Sequence, residues 1–264
     1  MEQKTGKLSI ILPCAGEGKR LGLTAPKELF EIMPGIRLID FSLKHIRHYL
    51  MSEPASPQET QILVVIKKGK EKVFHYVKKQ FSDIPVSAVY FNNKYHEWPG
   101  SVHSSSPLQT RYNLAFLPDS VICLSGPTPV INRDNQGLIG IFMKKIRSHP
   151  VVLGTIRCTD PETLKHLGAC YVKEHKVLRF QDKPEGSFMK YNCFWGCYGF
   201  QKQAGHELYS FLWNSVRHRK PSYRKTSFYP MASFPIEAYH DLGTWESITE
   251  LKASLQMIRF FSDN

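Results

Sequence analysis

Through roughly the first 150 residues, short apolar blocks alternate with longer amphipathic stretches. The blocks Leu8 to Leu12, Gln61 to Ile66, Val86 to Phe91, Ser120 to Leu124 and Val151 to Ile156 have strand length and β-prone side chains, which predicts buried strands. Helices are predicted between them, starting near Leu38, Gly69, Ser101 and Asn135. Strand and helix in alternation predict a parallel sheet with crossover helices. The Pro-, Ser- and Glu-rich stretch from Ser52 to Thr60 breaks the pattern and reads as a surface loop, because a strand follows at once. The second half is β-rich before a final helical stretch. Ala169 to Lys173 and Val177 to Gln181 flank Glu174-His175-Lys176 as a hairpin, and Asn192 to Phe200 forms a further apolar piece.

Composition adds size and setting. At 264 residues with 42% hydrophobic content, the chain can build one large α/β core or two small ones. The N-terminal residues Met1 to Lys7 lack an apolar signal core, and no run approaches the roughly 20 apolar residues of a membrane span. The expectation is a cytoplasmic protein without a membrane partner. Six scattered cysteines without CxxC spacing read as reduced, buried thiols rather than disulfides or zinc ligands. The net charge of +12 attracts anions. Its lysines and arginines are spread along the chain rather than gathered with stacking aromatics, which argues against nucleic acid as the partner. The basic clusters Lys67 to Lys72 and Arg217 to Lys220 read as solvated surface.

Candidate chemistry begins after the first strand. In Leu12 to Leu29, Gly16 and Gly18 allow main-chain N–H groups to turn towards an anion, while Arg20 and Lys27 supply charge-assisted bonds to phosphate oxygens. The stretch has no GK[ST] ending and is not a P-loop. Glycines after a strand are equally compatible with a plain βα turn. Two further segments carry charge at turns. Asp182-Lys183-Pro184 can be a simple turn, and Asp241 ahead of Gly243 can be a helix cap as readily as a metal ligand.

The string from Ala15 to Ile32 resembles the signature loop of the sugar-1-phosphate nucleotidylyltransferases, AGxGxRxxPxTxxxPKxLxxI, through Ala15, Gly16, Gly18, Arg20, Pro26, Lys27, Leu29 and Ile32. The loop is shorter between Arg20 and Pro26 than in the thymidylyl- and uridylyltransferases. Further pieces occur in the family's order. Gly168, Asp182, Lys183, Asn192 and Gly196 match its Gly, EKP and N-x-G series, and Asp241 to Glu246 is similar to its DxGTxE segment. The resemblance implies an α/β fold with a Rossmann-like, mixed, mostly parallel sheet flanked by helices, the nucleotide-diphospho-sugar transferase type. It implies a single domain over residues 1–264, with a nucleotide-binding half to about 150 and a sugar-phosphate-binding half beyond it. It also implies that Ala15, Gly16, Gly18, Pro99 and Gly100 bind nucleotide and that Arg20, Lys27 and Lys183 act on the phosphates. Gly168, Asp182 and Asn192 would then bind the sugar phosphate, and Asp241 would hold Mg2+. The implied reaction joins a nucleoside triphosphate and a sugar 1-phosphate, or a related phosphorylated small molecule, releasing pyrophosphate. Base, sugar and homo-oligomer formation stay open.

Two departures from the family pattern stand out. After Val121 to Leu124 the family carries Gly-Asp, whereas this chain has Ser125-Gly126-Pro127-Thr128-Pro129, and proline cannot ligate a cation. The nearest acidic residues, Asp119 before the strand and Asp134 in a later loop, are not obvious substitutes. The base-reading segment has its counterpart in Tyr95 to Val102, with Tyr95 where the family has glutamine; Trp98 there can line a base pocket or belong to the core. The Pro127 departure supports an alternative, a catalytically impaired nucleotide- or sugar-nucleotide-binding regulatory relative. A basic nucleic-acid-associated protein is a third reading, resting on net charge alone.

Overall fold

A computed structural model describes residues 7–53, 56–92, 99–116, 120–123, 137–218 and 226–262. Its first strand, Leu8–Pro13 (β1), shows why the apolar blocks are continuous. Leu8, Ile10 and Leu12 face one apolar cluster and Ile11 faces a second on the opposite side. A strand covered on both faces takes apolar residues at nearly every position. The exception, Ser9, is buried with its hydroxyl 2.9 Å from that of Thr110.

After β1 come the ribbon Glu31–Met33 (β2) and Ile36–Arg37 (β3), then helix Asp40–Ser52 (α1). Thr60–Ile66 (β4), Glu71–Gln80 (α2), Val86–Tyr90 (β5) and Pro99–Ser105 (α3) follow. Next are Tyr112–Phe116 (β6), Ser120–Cys123 (β7), Leu138–Ile146 (α4), Val151–Arg157 (β8) and Pro161–Leu164 (α5). The hairpin Gly168–Lys173 (β9) and Lys176–Asp182 (β10) leads to Cys193–Gln201 (β11) and Gly205–His218 (α6). Met231–Ile236 (β12), Ala238–Asp241 (β13) and Trp245–Ser262 (α7) complete the described elements. The hairpin turns through Glu174 and His175, whose φ values are 50° and 59°.

Nine strands form one mixed sheet in the order β5-β4-β1-β6-β11-β8-β12-β10-β9. β5, β4, β1 and β6 are parallel, and β11 runs antiparallel between β6 and β8. Side chains from α1, α2 and α4 pack on one face, while Val102 of α3 and Leu208, Phe211 and Leu212 of α6 pack on the other. The expected α/β class with a helix-flanked, mixed sheet is therefore the observed one.

The strand assignment beside β1 needs correction. Ser120 to Leu124 was expected to join the parallel sheet, but β7 pairs antiparallel with β13 in a separate ribbon. β6 takes the place beside β1. Asn113 interrupts its apolar run, yet this side chain is fully buried and donates to the Thr110 carbonyl at 3.0 Å. The segment read as a loop contains a 3-10 turn at Ser56–Glu59, and the helix expected near Asn135 starts, among the described residues, at Leu138. α6 had no counterpart in the sequence reading.

Candidate functional site

Parallel strands deliver their connections to one end of the sheet, and β1 delivers the glycine loop there. Cys14 continues the strand by donating its N–H to Val65 O at 2.8 Å. Gly18 then adopts φ +65°, a left-handed conformation in which a Cβ costs free energy. The same position lies against Lys27: a Cβ on Gly18 would sit 3.4 Å from both Cβ and Cδ of the lysine. The ammonium passes on to Gly16, where Nζ is 3.9 Å from the corresponding Cβ position. Lys27 thus lays its stem along Gly18 and its charge over Gly16. Gly16, Glu17, Gly18, Arg20, Lys27 and Gly243 line an open cavity of about 240 Å³, the Glu17 carboxylate being paired with Lys67 at 3.0 Å. An adjoining cavity of about 330 Å³ runs from Ala15 and Gly16 across Pro26 to Lys67–Lys70.

The loop is held from below by Lys70, a member of the basic cluster expected on the solvated surface. Lys70 Nζ donates to the carbonyls of Cys14 and Gly16, both at 2.6 Å, and to Glu28 Oε1 at 2.7 Å. Three acceptors satisfy the three donors of an ammonium. The Glu28 side chain is 1% exposed and that of Lys70 is 13% exposed. Burial pushes the Glu28 carboxyl above its usual range, against the opposing pull of Lys70. Glu28 immediately follows Lys27, so the buried pair fixes both the glycine turn and the backbone that carries its lysine.

The other side of the cavity comes from the C-terminal ribbon. Asp241 ends β13, and its Oδ1 accepts the Gly243 N–H at 3.0 Å. Thr244 caps α7: its hydroxyl accepts the Ser247 N–H at 3.3 Å. The cap alternative for Asp241 is thereby filled by another residue. A Cβ on Gly243 would lie 2.4 Å from Arg20 Nη2 and 3.0 Å from Asp241 Oδ1, so guanidinium and carboxylate face each other across this glycine. Leu21 packs with Leu242, Ile248 and Leu251, and Trp245 Nε1 donates to Leu21 O at 3.1 Å. These contacts clamp the glycine-loop segment to α7.

Gly168, Asp182, Lys183 and Asn192 gather around the β9–β10 hairpin, and none of them lines either glycine-loop cavity. Gly168 pairs with Asp182. Only glycine fits at Gly168, because a Cβ would fall 1.8 Å from Trp195 Nε1. Asp182 is buried, and its backbone N–H donates to Ser215 Oγ on α6 at 3.1 Å. Lys183 follows with an exposed side chain and φ 44°. The Asn192 amide is engaged with the backbone of Val172, accepting its N–H and donating to its carbonyl, both at 2.8 Å. Gly196 sits at a bulge in β11 against Tyr239. Pro99 and Gly100 are buried at the start of α3.

Tyr95 to Trp98, Ser125 to Pro129 and Asp134 lie outside the described residues. The corrected strand assignment nevertheless changes the comparison made at Pro127. The strand beside β1 ends at Phe116, and the acidic residue that follows it is Asp119 in Leu117-Pro118-Asp119. Asp119 is also outside the described residues. Its chain neighbour Ser120 is the register partner of Asp241. Apolar Leu114-Ala115-Phe116-Leu117 ahead of Asp119 was the available signal, masked by Asn113. Among the described residues, no three His, Cys, Asp or Glu side chains cluster as a metal site, and no helix is long and apolar enough to cross a membrane.

No protein-family model matches the chain, and no curated protein matches it. Solved structures do. A UDP-glucose pyrophosphorylase complexed with UDP-glucose superposes with a TM-score of 0.68 at 13% identity, covering 94% of this chain and 98% of the other. The UDP-glucose pyrophosphorylase of Acinetobacter baumannii gives 0.68 at 12% identity, over 97% and 98% of the two chains. The inositol-1-phosphate CTP transferase from T. maritima gives 0.62 at 16% identity, over 96% and 98% of the two chains. The chain has a sugar-1-phosphate nucleotidylyltransferase-like fold.

Proposed function

We propose that the protein is a magnesium-dependent nucleotidylyltransferase that joins a nucleoside triphosphate to a sugar 1-phosphate or a related phosphorylated small molecule. The observation that carries this reading is the cavity at the end of β1, where Gly16, Gly18, Lys27 and Arg20 meet Gly243 beside Asp241. Main-chain groups at a glycine turn, an ammonium and a guanidinium make a receptor for a polyphosphate. The similar solved structures include one in complex with UDP-glucose, a product of this reaction class.

In the proposed reaction, an oxygen of the acceptor phosphate attacks the α-phosphorus in line and pyrophosphate leaves. Catalysis then consists of positioning and charge stabilisation, with no covalent protein intermediate. Gly16 and Gly18 hold phosphates through the backbone, Lys27 bridges towards the α-phosphate and Arg20 neutralises the departing pyrophosphate. Lys183 places the acceptor phosphate, with Gly168 and Asp182 shaping the sugar side. Asn192 acts by holding β9. Asp241 suits Mg2+, which takes one or two protein carboxylates and completes its shell with water and substrate phosphates. Asp119, next in the chain to Asp241's partner Ser120, is the candidate second carboxylate. Bound Mg2+ supplies charge neutralisation on the phosphates. Asp119 after β6, the strand beside β1, weighs in favour of this reading over the non-catalytic relative suggested by Pro127 after β7.

The test is calorimetric titration of the five common nucleoside triphosphates with Mg2+ into the protein and into Lys27→Ala. Saturable binding that weakens at least about tenfold in the variant is expected, the scale of losing a charge-assisted contact. Equal binding by both proteins removes the glycine-loop site.

A further inference from the structure

A third cavity, of about 200 Å³, lies at the opposite end of the parallel strands. Leu8, Thr60 and Tyr112, the register-matched first residues of β1, β4 and β6, form its floor. The length of β1, about 3.3 Å per residue, separates it from the glycine loop by roughly 20 Å. Its rim carries Lys7, Arg111 and Arg147 against a single carboxylate, Glu59. Lys7 bonds Glu59 at 2.6 Å. That pair cancels, and neither arginine has an ion-pair partner among the described residues. Arg111 rests over the Tyr112 ring, its Cζ 5.3 Å from the centroid.

Thr60 adds a separate observation at the wall of the same cavity. Thr60 is 2% exposed, and its Oγ1 makes no hydrogen bond among the described residues. A buried hydroxyl without a partner is costly and uncommon in folded proteins. Its Oγ1 is closed off in the empty cavity, and a χ1 turn of the threonine would bring the hydroxyl to a ligand oxygen there.

We propose that this cavity binds a small dianionic phosphate group, as inorganic phosphate or the head of a phosphate monoester. The guanidinium forks of Arg111 and Arg147 would clamp its oxygens at the rim and the Thr60 hydroxyl would donate from the floor. Two guanidiniums match a phosphate dianion in charge, and each planar fork is able to take two of its oxygens. At about 30 Å³ per liquid water, the volume admits a phosphate with a short carbon skeleton but not a nucleoside triphosphate. The site is independent of the transferase reading.

The experiment is a titration of the whole protein with inorganic phosphate at constant ionic strength, followed by calorimetry and by the rise in melting temperature. It is repeated on Arg111→Gln/Arg147→Gln, Thr60→Val and Lys27→Ala. Saturable binding is expected in the parent and in Lys27→Ala, weakened at least about tenfold in the double variant, whose ligand-free melting temperature stays near the parent's. Thr60→Val, which keeps the shape and removes the hydroxyl, is expected to bind several-fold more weakly. Binding lost in Lys27→Ala but kept in the double variant would place the anion at the glycine loop and overturn the proposal. An equal response to chloride at matched ionic strength would overturn it too, as would unchanged affinity in Thr60→Val.

Discussion

Replacing Lys70 with methionine separates a buried strut from a surface charge. The substitution keeps the length of the stem and removes the ammonium that holds Cys14 O, Gly16 O and Glu28 Oε1. Breaking one side of a buried pair costs about 3–5 kcal/mol, because the remaining charge stays behind without compensation. An exposed lysine would cost under about 1 kcal/mol. The two cases also differ in pH dependence. Burial already raises the Glu28 pKa above 4.5, and loss of Lys70 removes the largest opposing influence. Between 4.5 and the raised folded value, the unfolded chain releases the Glu28 proton while the folded variant keeps it. Stability of Lys70→Met then falls with rising pH by about 1.4 kcal/mol per unit across that window, and levels off above it. Urea unfolding of parent and variant from pH 4 to 8 measures this directly. Glu28→Gln/Lys70→Met, which has no buried charge to strand, should recover at least about half of the loss near pH 8. A loss below about 1 kcal/mol in Lys70→Met, or one that is flat with pH, refutes the strut.

Other consequences are open to the same kinds of assay. Gly18→Ala combines a left-handed residue with a Cβ 3.4 Å from the Lys27 stem, and should lower stability by about 1–2 kcal/mol in urea and weaken triphosphate binding by calorimetry. His45 is buried with its Nε2 3.1 Å from Ile122 O, and burial lowers its pKa from 6.5 to about 4. Its neutral form favours the fold fully above pH 6.5, and about 3 kcal/mol is lost as pH falls to 4; a urea midpoint series should show this loss and His45→Gln should lack it. Asp119→Asn and Asp241→Asn should each raise the Mg2+ concentration needed for half-maximal activity, while Asp134→Asn leaves it unchanged.

The glycine loop was legible in the sequence because its chemistry is local: glycine spacing, Arg20 and Lys27 fall within one short string after an apolar run. β1, β4 and β8 were legible for a related reason, since burial on both faces imposes a nearly unbroken apolar block, whereas the edge strand β5 is only half-buried. Asn113 defeated the same rule in β6, because a polar residue satisfied by the Thr110 carbonyl looks identical in sequence to one facing water. With β6 hidden, Ser120 to Leu124 took its place in the sequence pattern, so Pro127 rather than Asp119 fell at the end of the expected strand. Lys70 was hidden differently. It lies 42 residues from Glu28, and nothing in Lys67 to Lys72 distinguishes the one lysine that turns inward. Asn192 stood at the right place in the motif order, but only three dimensions reveal that its amide is engaged with Val172.

The central claim is the transfer itself, and pyrophosphate release tests it most directly. The protein would be assayed with Mg2+ across ATP, GTP, CTP, UTP and dTTP, each with and without a panel of sugar 1-phosphates and inositol 1-phosphate, beside Lys27→Ala. The account predicts release that requires one triphosphate and one acceptor together, yields the matching nucleotide-linked product, and falls at least about a hundredfold in Lys27→Ala. Release that ignores the acceptor, or that persists at the parental rate in Lys27→Ala, would contradict it.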